Sequence, residues 1–306
     1  MKWLNFHREK LKSDARYYLL LLVALFIGGG GVLAQEETAM EKDKKPVKNT
    51  FESIWLMDNQ TVMVPFKGTF EMDFQHRFGT WDKGYDDFYG VFAPSNMRIG
   101  LNYAPVERLL LGFGFTKQDL LWDFYGKYAL LRQGRSGGSP VSVTYYGNVA
   151  VDTRKDSKTN FAETTDKWSA FHELMLARKI TESFSLQVSG NLSWVNFKEQ
   201  VYDTEGVPLG RDKNAQFSAG AIARYKFSNV MGIIVAYDHP ITDQRFVDPE
   251  PNLSIGLEMV TSSHAFQIFI GNYKSLIPQY NHSFNQNSFR DNEFLIGFNI
   301  TRLWNF

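Results

Sequence analysis

The chain has 306 residues, and its 33 basic and 33 acidic side chains cancel to zero net charge; it contains no cysteine. Zero net charge gives no electrostatic footprint for nucleic acid, and the missing cysteines exclude disulfides, thiolate metal sites and a lipid-modified amino-terminal cysteine. The longest apolar run spans eleven residues, short of the roughly eighteen that a membrane helix needs, so an α-helical bundle is excluded, whereas a β-barrel is not, because half of every strand faces the lumen.

In chain order, Lys2, Arg8, Lys10, Lys12 and Arg16 form a basic start, residues 17–27 an apolar run, and Val32-Leu33-Ala34 a small-residue cleavage pattern. This reads as a secretory signal over residues 1–34. Residues 35–50 are charged and read as a periplasmic linker. Residues 51–64 have apolar side chains without a clean period and fit a short helix, a plug segment or an extra strand.

From residue 65 to the end, period-2 alternation recurs between turn-like stretches. Twelve strands are expected near 66–78, 96–104, 109–117, 119–132, 141–152, 167–179, 183–197, 215–227, 230–238, 252–260, 264–273 and 293–304. The seventh is the clearest, with Phe184, Leu186, Val188, Leu192 and Trp194 opposed to Ser185, Gln187, Ser189, Asn191 and Ser193. The ninth is the weakest, since both its faces are apolar. Connections after even-numbered strands are mostly tight and those after odd-numbered strands mostly long, with residues 117–118 an exception. The pattern is that of an all-β transmembrane antiparallel barrel, residues 65–306, with short periplasmic turns and long extracellular loops. A soluble barrel would alternate in the same way with its apolar face inward. The leader, the terminal aromatic and the many large polar residues on the second face favour the membrane form.

The last strand places Phe298, Ile300, Trp304 and Phe306 on one face, interrupted by Arg302. A terminal phenylalanine after such alternation resembles the signal by which barrel-insertion machinery recognises outer-membrane proteins. It also sets parity: the Phe298 face meets outer-membrane lipid, and Asn299 and Thr301 point inward.

Several segments carry a wider resemblance: residues 49–53 (Asn-Thr-Phe-Glu-Ser), 76–79 (His-Arg-Phe-Gly), 99–103 (Ile-Gly-Leu-Asn-Tyr), 126–133 (Gly-Lys-Tyr-Ala-Leu-Leu-Arg-Gln) and 297–302 (Gly-Phe-Asn-Ile-Thr-Arg). Across residues 49–306 the chain resembles a β-barrel family of Bacteroidota known as a domain of unknown function. The resemblance implies a Gram-negative outer membrane and brings no activity or ligand with it.

By parity the lumen receives Glu71, Asp73, Asp123, Glu173 and Glu258 against Arg77, Arg98, Lys127, Lys179, Arg224 and Lys226, with Asn102 among them. Near-balance argues against a charge-selective pore and for charges that pair and fill a narrow interior. Inner-face glycines such as Gly100, Gly112, Gly114, Gly256 and Gly297 read first as relief of strain where strands bend, second as room for a ligand or for residues 51–64. His76, His172, His239, His264 and His282 show no triad spacing, no metal motif is present, and Asp82, Asp86 and Asp87 depart from the EF-hand pattern. No cofactor is expected. The leading function is a non-enzymatic barrel, a narrow channel or binding barrel for a small solute. The alternatives are a membrane-embedded lipid hydrolase or acyltransferase using His172, His239 or His282, and a structural or docking barrel in an envelope complex.

Overall fold

The computed structural model describes residues 43–305 apart from 156 and 158. The expected signal, residues 1–34, and the terminal Phe306 lie outside the described residues. Twelve long antiparallel strands form the wall: β1 (Thr69–Thr80), β2 (Asn96–Val106), β3 (Leu109–Thr116), β4 (Leu121–Leu131), β5 (Ser142–Asp152), β6 (Trp168–Lys179), β7 (Phe184–Val195), β8 (Ala215–Lys226), β9 (Met231–Pro240), β10 (Asn252–Val260), β11 (His264–Gly271) and β12 (Leu295–Asn305). Each pairs with its sequence neighbours, and β12 closes on β1 with Phe298 opposite His76. Closure leaves no unpaired sheet edge, as a hydrocarbon environment demands.

Apolar side chains point outward and polar ones inward. Phe113, Trp122, Phe124, Leu174, Phe217, Ile233, Val235, Ile255, Leu257 and Ile268 are exposed on the outer face. Along the inner face of β1, Thr69, Glu71, Asp73, Gln75 and Arg77 are all buried. A soluble barrel would have the reverse arrangement. Aromatic side chains gather at both rims: Tyr103, Tyr128, Tyr145 and Tyr225 toward the short turns, Trp122, Trp168, Trp194 and Tyr237 toward the long loops. Two such girdles mark the two interfaces of a membrane.

Two connections depart from the short/long alternation. Residues 117–120 make a tight link on the long-loop rim. Residues 132–141, on the short-turn rim, are longer, and the incoming chain rests on them. Val47 N–H donates to the Gln133 carbonyl (2.8 Å), Arg135 N–H to the Lys45 carbonyl (3.0 Å), and Lys179 Nζ to the Lys48 carbonyl (2.9 Å).

From this rim the chain enters the lumen, makes a hairpin of Trp55–Leu56 and Asn59–Gln60, and returns, Gly68 N–H meeting the Ala104 carbonyl near the start of β1. Met57, at the hairpin turn, has φ +59°, a left-handed conformation that usually falls to glycine. At the opposite rim residues 272–294 fold inward and form a short helix, α1 (Pro278–Phe284), with Pro278, Gln279, Asn281, His282 and Ser283 buried.

Candidate functional site

The interior contains one continuous assembly of wall, hairpin and folded-in loop. Phe51, Ile54, Trp55, Leu56, Met57, Val62 and Val64 form an apolar cluster with Leu110, Tyr125, Tyr146, Phe171, Met175, Ile222, Ile234 and Phe269 of the wall. Burying each aliphatic side chain contributes roughly 1.5–3 kcal/mol. This explains the two apolar faces of β9: Ile233 and Val235 meet lipid, while Ile234 and Ala236 meet the hairpin.

A two-stranded hairpin inside a barrel has two edges of unpaired backbone, and two wall glutamines satisfy them. The Gln267 Oε1 accepts from Met57 N–H (2.8 Å) while its Nε2 donates to the Trp55 carbonyl (2.8 Å). On the other edge Gln187 Oε1 accepts from Val62 N–H (2.9 Å) and its Nε2 donates to the Gln60 carbonyl (2.8 Å). A carboxamide carries one acceptor and one donor group, like a peptide unit, and so substitutes for a neighbouring strand. Between the edges Lys127 Nζ donates to the Ile54 (2.9 Å), Thr61 (3.1 Å) and Met63 (3.5 Å) carbonyls, and Thr144 Oγ1 to the Val62 carbonyl (2.9 Å).

Ion pairs join the wall charges to one another and to the hairpin. Arg98 holds Asp123 in a fork (Nε–Oδ1 3.0 Å, Nη2–Oδ2 2.8 Å) and gives Nη1 to Asp73 Oδ1 (2.9 Å). Asn102 donates to the other Asp73 oxygen (3.0 Å) and accepts from the Tyr125 hydroxyl (2.5 Å), while the Arg98 guanidinium lies 5.3 Å from the Trp55 ring centre. Arg224 Nε donates to Glu258 Oε2 (2.6 Å), whose second oxygen accepts from Ser53 Oγ (2.7 Å). Arg77 reaches Asp58 at the hairpin turn (2.5 Å). Glu71 and Glu173 are buried and act on Lys127 at longer range. Thus Glu71, Asp73, Arg77, Arg98, Asn102, Asp123, Lys127, Glu173, Arg224 and Glu258 are all buried on the lumen side, and Arg77, Lys127 and Glu258 touch the hairpin directly.

The inner glycines have a third role, which neither expectation included. A Cβ on Gly100 would strike the Asp73 carboxylate, one on Gly114 the Arg98 guanidinium, and ones on Gly256 and Gly297 the Phe269 side chain. They leave space for large side chains of the neighbouring strands.

The folded-in loop closes the other end. Gln279 Nε2 donates to Asn148 Oδ1 (3.0 Å) and Ser169 Oγ (3.2 Å), and Lys198 Nζ to the Ser283 carbonyl (3.3 Å). His282 stacks on Phe171 with ring centres 5.2 Å apart, and burial pushes its imidazole pKa down to about 4. Between α1 and the hairpin turn lies a polar cavity of about 10 Å³, room for the centre of one water-sized particle. It is lined by Asp58, Asn59, Asp238, Asn252, Tyr273, Pro278, Asn281 and His282.

Sequence reasoning missed Gln267, Asp58, Asp238 and the inward loop. Asp238 sits on the strand whose parity was illegible, and nothing local marks residues 272–294 as folding inward. The histidines do not converge. His76 stacks on Phe298 outside, His172 accepts or donates at the Tyr145 hydroxyl (2.6 Å) outside, His239 lies by Tyr237, His264 by Arg302, and His282 inside. On the last strand Phe298 packs on His76 and Phe74, Ile300 is exposed, and Trp304 packs on Phe70. Arg302, which interrupts the apolar run, lies over the Trp304 ring (5.1 Å) and near the rim.

The fold is similar to the crystal structure of an outer membrane channel from Pseudomonas putida F1, at 10% identity over 79% of this chain and 97% of that one, TM-score 0.51. Weaker matches are the NanC porin (9% identity, 76% and 98% coverage, TM-score 0.46) and the KdgM porin (8%, 77% and 99%, 0.43). Among curated proteins none matches the chain in sequence. A family model described as a membrane bound beta barrel domain (DUF5777) matches residues 51–304, which takes in the inner hairpin as well as all but the last residue of the wall. The chain belongs to this family of membrane-bound β-barrels.

Proposed function

We propose that the protein is a non-enzymatic outer-membrane channel for a small polar solute, closed in this structure, with residues 51–64 as the plug. The observation that carries this reading is the way the hairpin is held. Its backbone is bound by wall side chains, Gln187, Gln267, Lys127 and Thr144, rather than by a continuous ladder with any strand. Each such bond can be exchanged for water without breaking the wall, whose own ladder closes independently of the hairpin. With the hairpin out, a twelve-stranded lumen lies between the side-chain-filled eight-stranded barrels and the open sixteen-stranded porins. Its paired acids and bases favour polar, uncharged cargo over ions of one sign.

In this reading residues 1–34 direct export and are cleaved, residues 35–64 form the periplasmic entry and the plug, and the Phe298, Ile300, Trp304 and Phe306 face addresses the insertion machinery in a Gram-negative envelope of the Bacteroidota kind. The fold of the Pseudomonas putida channel supports the outer-membrane setting. The test is planar-bilayer recording of the intact protein and of a variant lacking residues 51–64, each checked for heat-modifiable gel mobility. The expected result is a nearly silent intact protein and a stable conductance after deletion. A folded deletion variant that stays silent, and that admits no small sugar or amino acid in liposome swelling, excludes transport and leaves a structural barrel.

A further inference from the structure

One stripe of the inner wall is polar and has nothing to bond. Asn191 (4% exposed), Ser193 (0%) and Ser218 (2%) are buried, and neither the Asn191 carboxamide nor the two hydroxyls have a hydrogen-bond partner among the described residues. Asp238 Oδ1 is in the same condition, while its Oδ2 accepts from Asn59 Nδ2 (2.7 Å). The ladder sets these groups side by side. Glu173, Asn191 and Ser218 share one rung of β6, β7 and β8, and Ser189, Gly220 and Asp238 share another of β7, β8 and β9. Gly220 lets the two rungs converge: a Cβ there would lie 2.4 Å from Asp238 Oδ1, 2.7 Å from Ser189 Oγ and 3.6 Å from Asn191 Nδ2.

The side chains that hold the hairpin, Gln187, Gln267, Lys127 and Thr144, are all bonded to it. The stripe is not, although buried polar groups without partners are rare and cost more than apolar ones of the same shape. It is covered instead. α1 packs against β6, β7 and β8, and the hairpin approaches through Asn59. Polarity that is idle under a cover has its use once hairpin and α1 have left, when a solute supplies the missing partners.

The chemistry of the stripe selects that solute. Three serine hydroxyls and a carboxamide intersperse donors and acceptors, and Glu173 and Asp238 add carboxylate acceptors at their edge. Phe171, opposite Ser193 in the ladder, offers a flat apolar face, taken in the closed interior by His282 (ring centres 5.2 Å apart). A pyranose has the matching parts, hydroxyls around its rim and C–H groups on its faces. An anionic solute is disfavoured, because the lumen's arginines are engaged elsewhere: Arg77 with Asp58, Arg98 with Asp73 and Asp123, and Arg224 with Glu258.

We infer that the stripe of Ser189, Asn191, Ser193 and Ser218, edged by Glu173 and Asp238, is the cargo-binding face of the lumen and that its ligand is a neutral sugar. This rests on the channel reading above and names the cargo class. Sugar and cover compete for the same face, so binding drives the hairpin and α1 off it.

The test uses the detergent-solubilised full chain with glucose or maltose, following hydrogen exchange at residues 54–62 and limited proteolysis within residues 274–292. Both should accelerate saturably, by about tenfold when the sugar is at about ten times its dissociation constant, since the open population grows as the ligand occupies it. Exclusion of sugars from protein surfaces acts in the opposite direction, favouring the closed interior, so acceleration reports binding. Gluconate should have no effect. Asn191→Leu combined with Ser218→Ala should abolish the response while keeping heat-modifiable mobility and the denaturant midpoint, because neither side chain gives up a bond in the closed interior. Ser193→Ala combined with Ser218→Ala makes the same test without the bulk of leucine. No acceleration by either sugar in the wild type, an equal response to gluconate or spermidine, or a response that persists in both double variants overturns the proposal. Conductance of the variant lacking residues 51–64 decides the channel reading separately.

Discussion

Gln187 and Gln267 show how single side chains set the state of the interior. Each satisfies one N–H and one C=O of a hairpin edge that has no other strand beside it. Replacing either with leucine keeps the bulk and orphans both groups, at about 1–3 kcal/mol each. Gln187→Leu and Gln267→Leu should therefore loosen the plug without opening the wall. The measurement is hydrogen exchange at residues 54–62, faster in both variants, with strand exchange unchanged. Arg98 is different because it belongs to the wall. Arg98→Met leaves Asp73 and Asp123 buried without a counter-charge, and removing one partner from such a group costs about 3–5 kcal/mol. Denaturant unfolding in detergent should show a loss of that size, and a loss under 1 kcal/mol would mean the two carboxylates find protons or water at little cost. Residue parity made the burial of Arg98 legible in the sequence. The identity of its partners was not, because Asp123 comes from a strand two places away.

At the scale of elements, the folded-in loop is the part tied to pH. His282 is neutral when docked, its pKa lowered to about 4, while in a released loop it would titrate near its ordinary 6.5. Its contribution to docking is thus complete above pH 6.5, falls as the pH drops, and is fully lost below about pH 4. The slope is about 1.4 kcal/mol per pH unit, or roughly 3 kcal/mol over that window. Limited proteolysis within residues 274–292 should accelerate between pH 6.5 and pH 4, and His282→Gln should flatten the profile. The hairpin illustrates why this level was only partly readable. Residues 51–64 carry a strong apolar composition but no period of 2 or 3.6, because their surroundings are walls on all sides rather than one core face. Their conformation, including the left-handed Met57, depends on bonds to Gln267, Asn299 and Arg77.

For the whole molecule, a closed wall with a filled interior predicts two separable transitions. Wild-type protein in bilayers should show rare, brief openings against a silent baseline, and moderate urea should raise their frequency well before heat-modifiable mobility is lost. Coincident loss of both would show that hairpin and wall unfold as one unit. Alternation and connection lengths alone determined the twelve strands, their order and, outside the ninth strand, which side chains share a face, since the strand period of 2 and the two rims are local properties of the chain. Which face turned outward was a different matter. Alternation is the same for a soluble barrel, and closure with apolar side chains outside decided it. The tertiary structure alone decided how the lumen is filled, by bringing residues 53–57 and Gln279 of the folded-in loop against strands more than a hundred positions away. Contacts at such separations follow from the three-dimensional path of a closed wall, and no spacing along the sequence encodes them.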